Sequence, residues 1–498
     1  MKETKTTESA PAPKMKTIYS GYRWELLVLL FFAYFFHQSD RAIYGVVSTP
    51  IQDYLHIQDL NYTRTITYAL MAIFVPLAGF VGDRFNKRRL LIGCLFFWSI
   101  ATIGTGSIES VYGLIFINSI ALVVAEAFYG PASTSLIASY HKETRSVALS
   151  VHQTAVYLCV IFCGGVAGWI AQHGGNFAIK LAGGYNALVS SIGLNTISFN
   201  NIASWDSENC GWRLAYWAFG GVSLIIGALL ILRLKDPTKV RFADSSVVET
   251  VKSSEKEGVW QAIKGIAKAF FTTPSALLLT VGFTAIVFVN NAYVIVVPSF
   301  LGDKFHLNLT QAGWNGMFWH NIAAFGCIYL GGFLSDHMSK KRPTYRPIQQ
   351  FVAMLIGAPI VCAIGYANNL TTVYALFFLM GACRGFFECN THASVFETIP
   401  IKYRSATVAL MLFFAFFIGS PSAQFFSALY HKYNAQGKPD FGYQLGYVML
   451  GIAWFIGAIC VGIAAFGTFE KDRAKRIAAE SAAALDNPQL TIAKGTQS

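Results

Sequence analysis

Apolar stretches of about twenty residues recur along the chain, parted by short polar segments, and each is long enough to cross the hydrocarbon core of a bilayer as a helix. About twelve such spans are expected, over residues 23–48, 65–83, 88–107, 111–139, 145–172, 212–233, 274–299, 311–335, 347–366, 371–396, 404–430 and 441–467. Between the sixth and seventh, residues 234–273 open polar and close with GVWQAIKGIAKAFF. There Val259, Trp260, Ile263, Ile266, Ala267 and Phe270 fall on one helical face, and Lys264 and Lys268 on the other. The pattern predicts a linker ending in an amphipathic helix on the inner membrane surface. A plain extension of the seventh span is interrupted by Pro274. The fold is therefore an all-α integral membrane one: a disordered tail (1–22), a six-helix bundle (23–233), the linker (234–273), a second six-helix bundle (274–467) and a tail (468–498) with a short helix.

Polar residues inside the apolar runs mark the candidate chemistry. The stretch FFAYFFHQSDRAIYGVVSTP, residues 31–50, carries His37, Gln38, Ser39, Asp40 and Arg41 within the first span. A charge at the centre of a spanning helix costs roughly 2.5 to 3.5 kcal/mol, so such residues face a cavity or a partner. On a helix His37 shares a face with Asp40 and Arg41, and Tyr44 extends that line by a turn. This is read as one wall of a substrate cavity; the other reading is an Asp40–Arg41 pair anchoring the helix end. Glu126 stands near the middle of the fourth span, at a similar depth. A carboxylate held between desolvation and a nearby Arg can load and release a proton, which gives Asp40 and Glu126 a coupling role; a static bridge between helices one and four is the other reading.

The second half supplies Asn290, Asn291, His320, Asn321, Arg384, Glu388, Asn390 and His392. Arg384 and Glu388 lie one turn apart and read as an intrahelical pair. The asparagine amides suit a substrate rich in hydroxyls. Tyr34, Tyr44, Tyr129, Gln153, Trp319 and Gln424 are candidates to complete the wall, although packing is the ordinary role of each.

Composition agrees with the membrane reading: 54% of the residues are hydrophobic, 41 are Phe and only 13% are charged, more apolar surface than a soluble domain can hide. The net charge of +12 does not indicate nucleic acid. Lys and Arg crowd into alternate connecting segments, notably Arg84 with Lys87, Arg88 and Arg89, and Lys340 with Lys341 and Arg342, leaving only Arg41 and Arg384 assigned to the interior. By the positive-inside rule both termini are expected to be cytoplasmic, in a multi-pass protein of the cell (inner) membrane. Eight of the nine cysteines fall inside spans, Cys210 lies in an external segment, and no Cys/His spacing indicates a metal or cofactor. Asn61, Asn308 and Asn369 each begin an N-x-Thr triplet, to which no role is assigned.

The two halves echo each other. The chain reads G-F-V-G-D-R-F-N-K-R-R from Gly79 and G-F-L-S-D-H-M-S-K-K-R from Gly332, so that Asp83 and Asp336 correspond. Arg145-Ser146 pairs with Arg404-Ser405, and Asp40-Arg41-Ala42 with Asn290-Asn291-Ala292. Two parallel six-helix repeats around a central cavity form a transporter architecture with the substrate near the midplane.

Over residues 23–467 the sequence resembles the major facilitator superfamily. Its loop motif G-x-x-x-D-R-x-x-R/K-R/K is matched by Gly79, Asp83, Arg84, Lys87, Arg88 and Arg89, with Asn86 where a Gly is common. Gly79, Asp83, Arg84, Arg88 and Asp336 are accordingly candidate gating residues, Asp83 latching the inner ends of the bundles, while Arg84 to Arg89 also set topology. Within the superfamily, Asp40-Arg41, the segment A-E-A-F-Y-G-P and T-R-S-V-A-L resemble the anion:cation symporters, and spinster-like transporters share a similar Asp-Arg pair and loop. The first resemblance implies proton coupling by Asp40 and Glu126 and a substrate carboxylate on Arg41. Two departures stand out. Ile117-Asn118-Ser119-Ile120 occupies the place of an Arg common in helix four, and residues 175–210 form an external insertion, read as a tolerated surface addition in preference to a lid.

The resulting expectation is a proton-coupled importer of a small organic anion such as a sugar acid, working by alternating access as a monomer in the lipid bilayer. Arg41, His37, Tyr44, Tyr129, Gln153, Asn290, Asn291, His320 and Asn321 are its expected binding residues. The rivals are a spinster-like exporter of amphiphiles, disfavoured by polar residues in helices seven and eight, and a non-transporting receptor. An enzyme is not expected, since no nucleophile–base pair appears.

Overall fold

The computed structural model describes residues 16–19, 21–57, 60–82, 86–141, 145–193, 199, 202, 205–236, 240–242, 259–400 and 403–485. In the first half lie α1 (Tyr22–His37), α2 (Ser39–Leu55), α3 (Asn61–Gly82), α4 (Lys87–Gly106) and α5 (Val111–Leu114). A π-helical stretch, Ile115–Ala121, joins α5 to α6 (Leu122–Tyr140), followed by α7 (Arg145–His173), α8 (Gly175–Ser191) and α9 (Gly211–Arg233). The linker holds α10 (Val259–Phe271). The second half comprises α11 (Pro274–Phe305), α12 (Leu309–Ser339), α13 (Tyr345–Tyr366), α14 (Leu370–Glu388), α15 (Thr391–Phe396), α16 (Arg404–Gly419), α17 (Ser422–Asn434) and α18 (Pro439–Ile463). A second π stretch, Ala464–Thr468, leads to α19 (Phe469–Leu485). Eleven described spans are long and apolar enough to cross a membrane, and α3, 22 residues long and packed between α6 and α16, completes a twelve-helix architecture.

Side-chain caps explain where several helices begin. Asn308 Oδ1 accepts the Gln311 N–H at 2.9 Å and Asn369 Oδ1 the Thr372 N–H at 2.8 Å, so two of the N-x-Thr triplets are helix N-caps. Asn86 caps α4 through the Arg89 N–H at 3.2 Å and donates to Asp236 at 2.7 Å, which gives the departure from the loop motif a structural purpose. Pro274 and Pro439 stand in the first turns of α11 and α18, where a missing N–H costs nothing.

Each half has its own core. One gathers around Trp98 and Trp212, the other around Trp454, Phe300 and Phe377. Three features depart from the expected layout. Lys16–Ile18 (β1) pairs in parallel with Val240–Phe242 (β2), a three-residue pairing of the N-terminal tail with the linker in an otherwise all-α membrane fold. The insertion contains α8. The C-terminal helix is integrated, because Asp472 Oδ2 accepts both the backbone N–H (2.9 Å) and the hydroxyl (2.7 Å) of Ser275 at the start of α11. In α10, Lys264 and Lys268 are exposed while Phe270 is buried and stacks on Phe414, which ties the linker helix to the second bundle.

The side carrying the basic loops is here called inner. On the outer side the bundles meet along a glycine seam. A Cβ on Gly313 would lie 2.6 Å from Gly164 O, and one on Gly168 2.6 Å from Leu309 O; Gly45 abuts Val294 O in the same way. Thr310 donates to Gln172 at 2.8 Å, and Thr65 to Gln424 and to Ser420 O, each at 3.2 Å. The outer half between the bundles is closed by backbone-to-backbone packing.

Candidate functional site

The first helix breaks at Gln38, between α1 and α2, where Ser39 Oγ turns back to Phe36 O at 2.6 Å. The fourth span is disturbed one to three turns before Glu126 by the π stretch Ile115–Ala121, where Ser119 donates to Thr63 O at 2.9 Å; such departures often accompany functional sites. Between these irregular segments Arg41 of α2 forms an ion pair with Glu126 of α6. Gln38 Nε2 donates to Glu126 Oε1 at 3.4 Å and lies 3.2 Å from His37 Nδ1. Asp40 is buried with its Oδ2 4.0 Å from Arg64 Nη1 of α3, and Arg64 Nη2 donates to Asp40 O at 3.4 Å. The first bundle thus sets two buried carboxylates against two buried or half-buried guanidinium groups.

Behind the ion pair, rings from four helices form a stack. His152 lies on Tyr34 (centroids 4.5 Å apart, planes 4°), Tyr34 on Tyr129 (5.5 Å), Tyr129 on His37 (4.5 Å) and His37 beside Trp98 (5.2 Å). Toward the second bundle, the Arg41 guanidinium carbon lies 6.0 Å from the Tyr68 ring, which stacks on Phe416 at 6.1 Å. Phe416 also packs with Phe74, Phe128 and Met71, an apolar seam shared by both halves.

In the second half Arg384 of α14 donates to Glu388 at 2.8 Å and to Asn290 Oδ1 of α11 at 2.6 Å, and Glu388 accepts the hydroxyl of Tyr157 from α7. The pairing of Arg384 with Asn290 joins the helices that correspond to those joined by Arg41 and Glu126. Its polarity is reversed, with the arginine on the fourth helix of its half and the acceptor on the first.

This arrangement of paired bundles with ionised groups between them has known counterparts. The model of the Major Facilitator Superfamily matches residues 30–423. The chain belongs to the Major Facilitator Superfamily. It is similar to Protein spinster homolog 1 of Xenopus tropicalis, 24% identical over 476 residues that cover 90% of this chain and 81% of that protein. A shorter match, 30% identical over 123 residues and 24% of each chain, is to the sphingosine-1-phosphate transporter SPNS2 of the same species. Among solved structures it resembles an inward-facing, unoccupied bacterial homolog of the human lysosomal transporter Spinster, with a TM-score of 0.71 and 22% identity over 91% of this chain and 98% of that one. The relationship within the superfamily is thus to spinster-like transporters; the resemblance to anion:cation symporters finds no such support. As a Major Facilitator protein it is a multi-pass membrane transporter, and the superfamily is one of carriers, not enzymes.

The expected site residues of this Major Facilitator protein divide into two groups. Asp40, Arg41 and Glu126 come together, with His37 directly behind, and Asn290 joins the second polar cluster. Others point elsewhere. Tyr44 is fully enclosed and donates to Leu60 O at 3.0 Å; Tyr129 donates to Leu30 O at 3.2 Å. Asn321 bonds its own helix at Met317 O (2.8 Å), and His320 is buried against Tyr293 inside the second bundle. Asn291 is buried near Gly419; Gln153, by contrast, is exposed on α7 one turn from Tyr157, which reaches Glu388 of the second bundle. Of the other wall candidates, Trp319 stacks on Tyr374, Gln424 lies in the outer seam, Asn390 accepts from Ser335 at 2.7 Å and His392 is exposed.

Among the gating candidates, Asp83 and Arg84 lie outside the described residues, as does the Gly79 surroundings. Arg88 binds the last carbonyls of α9, at Ile231 (2.8 Å) and Leu234, within its own bundle. Asp336 accepts from Arg346 at 2.8 Å, and Arg346 and Arg473 both reach Glu397, an inner-side network confined to the second bundle.

Three participants escaped sequence reasoning. A second span beginning at residue 65 leaves Arg64 in an external segment; α3 begins at Asn61, which brings Arg64 into the membrane beside Asp40. Tyr157 and His152 are single polar side chains on an apolar helix, and no spacing distinguishes them from packing residues.

Proposed function

We propose that this protein carries an amphiphile with an anionic head, in the manner of spinster-like transporters, by alternating access coupled to proton exchange at Glu126. The observation that carries the reading is the position of Arg41: paired to Glu126 on one side and next to the Tyr68–Phe416 apolar seam on the other. A guanidinium there can take a phosphate or carboxylate through two parallel hydrogen bonds while an apolar chain lies along Phe74, Phe128 and Phe416. Protonation of Glu126 would release Arg41 to the incoming head; departure of the head and loss of that proton from Glu126 to the facing side would let the ion pair re-form. The amides and imidazole that favoured a sugar acid are engaged or buried within the second bundle: Asn290 by Arg384, Asn321 by its own helix, His320 behind Tyr293. That removes the main objection to an amphiphile. That one relative is a sphingosine-1-phosphate transporter supports the same substrate class.

The test is transport in proteoliposomes of a labelled lysophospholipid, a sphingoid base phosphate and a hexuronate, with and without a pH gradient. Gradient-dependent movement of either amphiphile, with none of the hexuronate, is the expected result. Movement of the hexuronate alone would overturn the proposal in favour of a sugar-acid symporter.

A further inference from the structure

The external insertion contains a helix with three distinct faces. On one face of α8, Ala178, Ala182 and Val189 are buried, and the two alanines pack in one cluster with Trp205, Leu214 and Trp217. On the adjoining face Phe177, Leu181, Tyr185 and Leu188, continued by Ile192 at the C-cap, follow one another at intervals of three or four residues. They are exposed, Phe177, Leu188 and Ile192 to about 60%. The remaining, polar side carries Asn176, Lys180, Ser190 and Ser191, all exposed. A solvated surface helix has no cause to keep an unbroken apolar stripe beside a polar one.

The level of the helix in the molecule identifies what covers the stripe. No loop separates α8 from α7: Gly174 keeps helical angles, its N–H bonds Ile170 O at 2.7 Å, and its carbonyl accepts the Ala178 N–H at 2.8 Å. The buried face rests against Leu214 and Trp217, in the first two turns of α9, so the helix lies beside the outer ends of two spans instead of rising away from them. Val166 and Trp169, exposed on the last turns of α7, and Tyr112, exposed at the start of α5, mark the same rim, and tryptophan and tyrosine favour the headgroup level of a bilayer.

We propose that α8 is an interfacial helix whose Phe177–Ile192 stripe is seated among the acyl chains of the outer leaflet, with Lys180 and the serines in the headgroup and water region. The insertion is then a membrane float fixed to the first bundle and not a lid over the outer mouth. With one basic and no acidic residue in α8, the attachment is apolar and insensitive to salt.

The full-length protein in phospholipid nanodiscs, carrying a nitroxide on a keto amino acid so that the nine native cysteines stay intact, tests this directly. Labels at Leu181 and Leu188 are expected to collide with oxygen several-fold more than with a water-soluble nickel chelate, and labels at Lys180 and Ala187 the reverse, in low and high salt alike. If a label at Leu181 or Leu188 prevents folding, Phe177 and Ile192 report the same face. Equal access of the chelate to all positions would overturn the proposal in favour of a solvated lid. Shielding of the stripe from both reagents, with dipolar broadening between labels, would overturn it in favour of a second copy of this chain.

Discussion

The hydroxyl of Tyr157, on α7 of the first bundle, is hydrogen-bonded to Glu388, on α14 of the second. Glu388 is also the partner of Arg384, so one carboxylate links an intrahelical ion pair to the opposite half of the molecule. The contact crosses the plane along which the bundles must move apart, and a phenylalanine at 157 would lose it while keeping the ring's edge contact with Phe325 (6.4 Å) and its approach to Arg384 (5.9 Å). Tyr157→Phe should therefore change the rate of interconversion with little effect on substrate affinity. A charge-assisted bond of about 1.5 to 3 kcal/mol predicts roughly a ten- to hundredfold ceiling on that change. Counterflow rates and equilibrium binding measured on the same protein separate the two effects.

Arg41 is the candidate for holding the anionic head. Arg41→Lys keeps the charge and loses the planar fork, so binding should weaken by about 1.5 to 3 kcal/mol. Arg41→Ala should abolish binding while the protein remains monodisperse. Scintillation proximity or calorimetric titration with a lysophospholipid checks both, and undiminished binding by the alanine variant would remove Arg41 from the site.

For Glu126 the informative change is to glutamine, which retains an acceptor for Arg41 and cannot carry a proton. Accumulation driven by a pH gradient should disappear in Glu126→Gln, whereas substrate exchange, which needs no net proton release, should persist. Full accumulation in this variant would place coupling elsewhere.

Arg64 faces Asp40 across α2 and α3 with both groups buried. Arg64→Gln leaves a buried carboxylate without its cation, a change that costs about 3 to 5 kcal/mol when such a pair is broken. The double variant Arg64→Gln/Asp40→Asn should recover part of that loss, giving a coupling of about 0.5 to 3 kcal/mol in a thermal-stability cycle. Additive losses would mean that the two residues act independently.

At the outer seam, Gly164 and Gly313 approach so closely that a side chain on either meets the other's backbone. Gly164→Leu should hold the outer side apart, because backbone atoms cannot yield as a flexible side chain can. Cysteines placed at the outer ends of α7 and α12 would become accessible to a membrane-impermeant thiol reagent, and transport would fall. Unchanged labelling would show that the seam is not the outer closure.

The sequence disclosed the part of the molecule governed by the bilayer. Long apolar runs, basic inner loops and the cost of intramembrane charge located the spans, the repeat and the meeting of Arg41 with Glu126. What escaped it depends on rotation and on small offsets. Tyr44 follows Asp40 by one turn, as helical spacing requires, yet it faces α3 and closes on Leu60, because the break at Gln38 and the packing of α2 set which side meets the cavity. Moving the start of one helix by four residues turned Arg64 from a loop residue into a partner of the site. His320 and Asn321 are polar on an apolar helix and still point into their own bundle, a choice that only neighbouring helices decide. The preference for a sugar acid rests on the resemblance to anion:cation symporters and on counting those groups as cavity lining.

The outer seam has a bearing on the membrane potential. A field acts on a conformational change only through charge that the change displaces, about 2.3 kcal/mol per elementary charge per 100 mV. Glycine backbones and the neutral pairs Thr310–Gln172 and Thr65–Gln424 bring the bundles together on that side, and none of these described contacts bears a net charge. Voltage therefore has no lever through these contacts, and among the described residues charge movement falls to intramembrane groups such as Asp40, Arg41, Arg64, Glu126, Arg384 and Glu388 and to the charge of what is carried.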